Sequence, residues 1–257
     1  MLFEIKRVCF SYHRLKVLDD LCLSLEPGRF YGIIGPNGCG KTTFLDLLIR
    51  HHLPASGEII YKGRNLSCYS RKQLSREMAL VPQNFYINFP YTAKEIVFMG
   101  RYPHLPRFGA PSAKDVSIVD SVMEATGTDA FKNRFITELS GGERQRVVLA
   151  RALAQDAPVL IMDEATSNLD INHAISLMNL VADDVRQKKK TVVAVFQDIN
   201  LAAVYCEYLV LLREGRVAFH GPASAVLNRD TIKTVFDVEA KVYFETYSNS
   251  TQVIFKR

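Results

Sequence analysis

The sequence has no tryptophan, only 5 cysteines and no long apolar run. Its longest stretch free of Asp, Glu, Lys and Arg is Met78 to Ala93, 16 residues, broken by Pro82, Gln83, Asn84, Asn88 and Pro90. A spanning helix needs about 20 apolar residues, so action at a membrane would require another chain to do the crossing. Cys9, Cys22, Cys39, Cys68 and Cys206 are odd in number, with no CxxC pair and no metal-ligand cluster among them. They read as reduced thiols of a cytosolic compartment. The start, MLFEIKRVCF, carries Glu4, Lys6 and Arg7 where a signal peptide needs uninterrupted apolar residues, so it reads as a strand. Charge of one sign is also scarce: 32 basic against 27 acidic residues leaves +5. That is well short of a nucleic-acid-binding balance, and it hints at an anionic ligand.

What remains is ordinary globular material, 257 residues with 48% apolar, 23% charged, 14 Gly and 10 Pro. Disordered tails, collagen-like repeats and disulfide mini-proteins are excluded, and the length suffices for a large α/β core with an insert. Leu2 to Phe10 and Val17 to Leu25 are rich in β-branched and aromatic residues around a turn-like His13 to Lys16, which predicts an antiparallel pair. Phe30 to Ile34, then Gly35-Pro36-Asn37-Gly38, then Thr42 to His51 reads as strand, glycine loop and helix. Val159 to Met162 and Thr191 to Phe196 are continuous apolar runs of the kind buried in a parallel sheet, and Ile171 to Arg186 has helical spacing between them. Helices are predicted at Ala93 to Met99, Ala113 to Thr126 and Ala223 to Phe236, with short strands at Ala240 to Thr246 and Thr251 to Phe255. Lys188 to Lys190 reads as a solvated helix end, and His51-His52 as surface.

Gly35 to Thr42, GPNGCGKT, fits G-x-x-x-x-G-K-[ST] between a strand and a helix. Glycines let backbone N–H groups face phosphate oxygens, Lys41 adds a point charge toward the β- and γ-phosphates, and the Thr42 hydroxyl can ligate Mg²⁺. Triphosphate binding follows. Asp163-Glu164 emerges at the carboxyl end of a buried strand, where Asp163 suits magnesium and Glu164 suits an attacking water. Leu139-Ser140-Gly141-Gly142-Glu143 opens a helix running to about Gln155, with Ser140 as N-cap candidate. By spacing alone this is equally a second phosphate site or an ordinary capped helix. Cys39 leaves a thiol near the nucleotide, so alkylation there is expected to inhibit ATP binding and ATP to protect, the alternative being a side chain that points into the core and is inert.

In order, Tyr12, GPNGCGKTT at 35–43, Gln83 in VPQ, LSGGERQR at 139–146, VLIMDEAT at 159–166 and SNLD at 167–170 resemble the ATP-binding subunits of ABC transporters. The resemblance covers residue 1 to about 240. It implies a P-loop NTPase core with a mixed, largely parallel sheet, an antiparallel β subdomain, a helical subdomain at about 84–157 and a C-terminal extension at about 222–257 within one domain. It also implies a head-to-tail homodimer, in which Leu139, Ser140, Gly141, Gly142 and Glu143 of one subunit close over the γ-phosphate on the other. The resemblance further places Pro36, Asn37, Gly38, Gly40 and Thr43 with Gly35, Cys39, Lys41 and Thr42 around ATP. By the same resemblance, Tyr12 would stack on adenine, Gln83 would contact magnesium and water, sharing the metal with Thr42 and Asp163, and Asp170 would link the two active sites. As isolated residues, Tyr12 would read as a half-buried strand aromatic and Gln83 as a loop amide.

The family's usual histidine after the next strand is replaced by Gln197, and its usual proline by Ala165. Glutamine keeps a donor and an acceptor but cannot titrate, so a working but slower ATPase is expected. The segment from Phe98 to Pro111 and DINLAAVYCEYLVLLREGRVAFHGPASAVL at 198–227 resemble importers of iron-siderophores, haem and cobalamin. This implies a separate permease, an extracytoplasmic substrate-binding protein, a place on the cytoplasmic face of the membrane and no nucleic-acid partner. The alternatives are an ABC ATPase of assembly or repair type, an importer of an oxyanion or metal ion, and a small-molecule kinase, which would lack LSGGERQR.

Overall fold

The computed structural model describes residues 1–106, 109–167 and 169–256. Arg107 and Phe108 of the Phe98 to Pro111 segment, Asn168 of SNLD and the last residue of the C-terminal extension lie outside the described residues. The chain forms two units, one of Met1–Ser70 with Thr191–Arg257 and one of Arg71–Lys190.

The first unit opens with β1 (Phe3–Tyr12) and β2 (Leu15–Leu25), antiparallel as the sequence predicts. In β1 the buried side chains are Phe3, Ile5, Val8 and Phe10, so strict alternation slips once. The slip is a bulge, with Arg7 at φ 51 and the register shifting between Ile5 and Val8. β3 (Phe30–Ile34) is buried throughout and leads to α1 (Lys41–Leu48), which ends earlier than the predicted His51. β4 (Ser56–Tyr61) and β5 (Arg64–Asn65) complete a sheet of order β2-β1-β4-β5.

In the second unit, α2 (Arg71–Glu77) precedes β6 (Met78–Val81). Three helices follow, α3 (Ala93–Met99), α4 (Ala113–Ala125) and α5 (Gly141–Ala154). They share a core that includes Ile96, Val97, Val119, Met123, Val147 and Ala150. Thr92, Ser112 and Ser140 each begin a helix with a reciprocal capping box, worth about 1 kcal/mol apiece by side-chain deletion. β7 (Val159–Asp163) runs parallel to β6, and α6 (Ile171–Lys188) follows.

Two charged residues of this unit are not where their sequence context puts them. Arg101, in the segment from Phe98 to Pro111, is 5% exposed; its Nε donates to Asp115 at 2.9 Å and its Nη1 to the carbonyl of Ala154 at 2.7 Å. It thereby joins the start of α4 to the end of α5. The Ser112 hydroxyl and N–H and the Arg101 guanidinium hold the Asp115 carboxyl down at about 2. Lys190, expected to be solvated, is buried between Asp156 at 3.0 Å and Asp184 at 3.3 Å. Asp184 is itself buried, so removing the cation strands a carboxylate. Because Lys188 also reaches Asp184 at 2.8 Å, Lys190→Met is expected to cost about 2 kcal/mol in denaturant unfolding, less than a fully orphaned buried charge. Lys189→Gln, at an exposed position, should change stability by less than about 0.5 kcal/mol.

The chain then returns to the first unit with β8 (Thr191–Val195), α7 (Ile199–Tyr205), β9 (Tyr208–Arg213) and β10 (Arg216–Pro222). β8 and β9 flank β3 in parallel, while β10 turns back antiparallel on β9. The single helix predicted over Ala223 to Phe236 is in fact α8 (Ala223–Val226) and α9 (Arg229–Phe236). Asn228 breaks it by capping α9, accepting from the N–H groups of Asp230 and Thr231. β11 (Ala240–Glu245) and β12 (Ser250–Phe255) form a hairpin whose Val253 backbone is held in both directions by the Asn200 side chain of α7. Among the described residues, no helix is long and apolar enough to cross a membrane.

Candidate functional site: a phosphate cradle and an acidic strand end

The cradle belongs to the first unit. β3 ends at Ile34, and Gly35 is forced: a Cβ there would meet the Leu212 carbonyl oxygen at 2.2 Å and the Cys39 sulfur at 2.8 Å. Gly40 caps α1 at φ 100, a conformation open to glycine, and no side chain caps the helix. The N–H groups of the first turn are therefore presented with the positive end of the helix dipole to whatever anion enters. Lys41 is buried at 7% exposure, and its Nζ donates to the carbonyls of Gly35 at 2.8 Å and Pro36 at 3.0 Å. An ammonium has three donors, so two anchor it over the loop and the third remains for a phosphate oxygen. Asn37, Gly38 and Thr42 are exposed around it, and Thr43 is buried.

Cys39 takes the inward setting, the alternative to a thiol open to the nucleotide. It is 6% exposed, and burial pushes its thiol up, outweighing the opposing pull of Lys41. A protonated, enclosed thiol is a poor nucleophile. Iodoacetamide is expected to label Cys22 and Cys68, which are exposed, and to spare Cys39 with or without ATP. Peptide mass spectrometry of the native chain checks this; ATP-sensitive labelling at Cys39 would restore the original expectation.

The acidic group belongs to the second unit. Asp163 ends β7 at 5% exposure and Glu164 follows at 8%, with φ 49 turning the chain out of the strand. Gln83, just beyond β6, donates its Nε2–H to Glu164 Oε2 at 2.7 Å. That bond orients the carboxylate. Sequence reasoning missed Gln145, a buried glutamine within LSGGERQR that donates to the Ala165 carbonyl at 3.1 Å. α5 and the turn after Glu164 are thus tied directly; the only signal was an uncharged polar residue on the inner side of a helix.

Ser140 is the N-cap of α5, as predicted. Its hydroxyl accepts from the Glu143 N–H at 3.3 Å, and its own N–H donates to Glu143 Oε2 at 2.8 Å. The Ser140 N–H and hydroxyl, with Arg134 adding, hold the Glu143 carboxyl below the usual range. Leu139 anchors this turn in the core, while Ser140 and Gly141 are exposed at its mouth and Gly142 is half-buried. Asp170 caps α6, accepting from the His173 N–H at 2.8 Å and pairing with its Nδ1 at 2.7 Å. Tyr12 ends β1 at 40% exposure, and Gln197 is exposed just after β8. Asp198 beside it caps α7, accepting from Asn200 and Leu201. The proposed residues thus fall into two sets: Tyr12, 35–43 and Gln197 in one unit, and Gln83, 139–143, Asp163, Glu164 and Asp170 in the other.

A strand-loop-helix cradle with an anchored lysine, in an α/β protein whose parallel strand ends in paired acids, defines the P-loop nucleotide-binding class. Within that class the chain belongs to the ABC transporter family, whose model matches residues 18–167. The cobalamin import ATP-binding protein BtuD of Halobacterium salinarum is 43% identical over 227 residues, 88% of this chain and 56% of that protein. The chain therefore spans little more than half the length of that relative. The ferric enterobactin transport ATP-binding protein FepC of Escherichia coli K12 is 33% identical over 249 residues, 97% of this chain and 92% of that one. An inward-facing structure of a transporter assigned to the metal-chelate type superposes with a TM-score of 0.84 at 26% identity, covering 99% of this chain and 96% of its own.

Proposed function

We propose that this chain is the ATP-binding and ATP-hydrolysing subunit of an importer, powering uptake of a metal chelate through a separate membrane permease. The observation that carries the hydrolytic reading is Lys41, buried and pinned over the loop by Gly35 and Pro36 with a donor to spare. The importer reading is supported by the relatives named for cobalamin and ferric enterobactin. The cargo class spans iron-siderophore, haem and cobalamin-like chelates. The chain works as a homodimer at the cytoplasmic face of the membrane, held there by the permease, with an extracytoplasmic substrate-binding protein delivering the cargo.

Backbone N–H groups from Gly38 to Thr43 and the Lys41 ammonium hold the β- and γ-phosphates, and Tyr12 stacks on the adenine. The Thr42 hydroxyl, the Gln83 amide oxygen and the Asp163 carboxylate are hard oxygen donors, the set magnesium prefers. Magnesium, when bound, neutralises charge developing between the β- and γ-phosphates. Glu164 accepts the proton of the attacking water, and Gln83 sets the orientation of that carboxylate. Ser140, Gly141 and Gly142 of a second copy close over the γ-phosphate, while Asp170 of each copy faces the other across the dimer.

Gln197 holds the position of the usual histidine and orients the γ-phosphate without a titratable proton. In the permease complex, Gln197→His is expected to raise turnover; an unchanged rate would remove Gln197 as the limiting group. The proposal as a whole is tested by purifying the tagged chain from detergent-solubilised membranes. A polytopic membrane protein should accompany it and stimulate its ATPase activity. Recovery with nucleic acid or a soluble assembly factor instead would favour the assembly or repair reading.

A further inference from the structure

His52 shares an aromatic cluster with Tyr12. Its ring centroid lies 5.2 Å from Phe10 with planes at 31°, and 5.5 Å from Tyr12 with planes at 87°. Phe10 in turn meets Tyr12 edge to face, at 4.9 Å and 86°. The three rings touch mutually, and they grade from buried Phe10 through half-buried His52 to exposed Tyr12. Tyr12 is the last residue of β1, paired with Leu15, and His13 after it turns at φ 52. A tyrosine at a strand end has few neighbours to fix its side-chain torsions, and here two rings do so.

The position of His52 in the chain gives this contact a purpose. It follows α1, where the Asp46 carbonyl accepts from the N–H groups of both His51 and His52, at 2.8 and 3.4 Å. The neighbouring His51 points instead to the Asp46 carboxylate at 3.1 Å and is exposed. One helix therefore carries Lys41 at its first turn and His52 just past its last. At about 1.5 Å of rise per residue, α1 is a rigid spacer of about 12 Å.

We propose that His52 is a positioning residue for base recognition: it holds the Tyr12 ring at a fixed setting against Phe10, and α1 fixes that setting relative to the phosphate cradle. The inference rests on the reading of Tyr12 as the adenine-stacking residue. His52 acts through Tyr12 and makes no demand on the triphosphate. Its contribution is confined to ligands that carry a base.

Titration calorimetry of the full chain with ATP and with inorganic tripolyphosphate separates the possibilities. His52→Ala is expected to weaken ATP about 3- to 10-fold, the range of an aromatic pair, and to leave tripolyphosphate unchanged. His52→Phe should restore ATP affinity, and in steady-state kinetics His52→Ala should raise KM with little change in kcat. In a Tyr12→Ala background, His52→Ala should have no further effect. Equal weakening of both ligands, full additivity with Tyr12→Ala, or no change in ATP affinity would overturn the role of His52. If Tyr12→Ala itself leaves ATP affinity unchanged, the stacking reading fails first and this inference with it, a result distinct from one in which only His52 is silent.

Discussion

Glu164→Gln should slow ATP turnover by about 10²- to 10⁴-fold, the contribution of a positioned general base, while ATP affinity changes by less than about 2-fold. The geometry explains the separation. Glu164 sits at the end of β7, buried and held by the Gln83 amide at 2.7 Å, and the cradle that grips phosphate is a different piece of chain. Glutamine keeps the shape and can still meet Gln83, but it cannot take a proton from water. Closure is expected to survive and opening to fail, because hydrolysis is what removes the γ-phosphate. Rapid-quench assays on the purified chain, alongside nucleotide titration, measure the two effects independently. Normal hydrolysis in Glu164→Gln would refute the assignment of the base.

Lys41→Ala should act on the other half of the chemistry, weakening ATP by about 100-fold, the equivalent of about 3 kcal/mol for a charge-assisted contact in a desolvated site. Lys41 is buried, and its two carbonyl contacts leave Gly35 and Pro36 without their donor when it is removed. The loop thus loses both the cation and the bonds that hold its turn. Lys41→Arg is not expected to rescue, since a planar guanidinium cannot sit as a point charge over two carbonyls. Fluorescence titration with an ATP analogue checks both variants: near-native affinity in Lys41→Ala would remove Lys41 from the phosphate site, and in Lys41→Arg would overturn the point-charge requirement.

The residues whose roles were legible in the sequence are those whose chemistry is local. Gly35 and Gly40 answer to backbone demands within a few positions, and Ser140 meets Glu143 three residues on. The buried strands β3, β7 and β8 announce themselves by continuous apolar runs. Residues defined by distant partners were not legible. Nothing near Arg101 in the chain marks it as buried, because the Ala154 carbonyl it reaches lies 53 positions away. Lys190 reads as one of three solvated lysines until Asp156 and Asp184 enclose it. His52 reads as a surface histidine until the bulged β1 brings Phe10 and Tyr12 to it. Asn228 is the intermediate case: a capping residue inside an apolar periodicity, where the cap prevails and splits the helix. The thiol of Cys39 fails differently, since the motif fixes its backbone and only packing decides that its sulfur faces inward.

Two copies of this chain are expected to seal ATP between the cradle of one and the Ser140 turn of the other. Light scattering of Glu164→Gln with magnesium and ATP, combined with counting of the retained nucleotide, tests it most directly. A dimer holding two ATP is expected, with a return to monomer when Ser140→Arg is added to the same chain. A monomer that retains ATP, or a dimer indifferent to both ATP and Ser140→Arg, would contradict it.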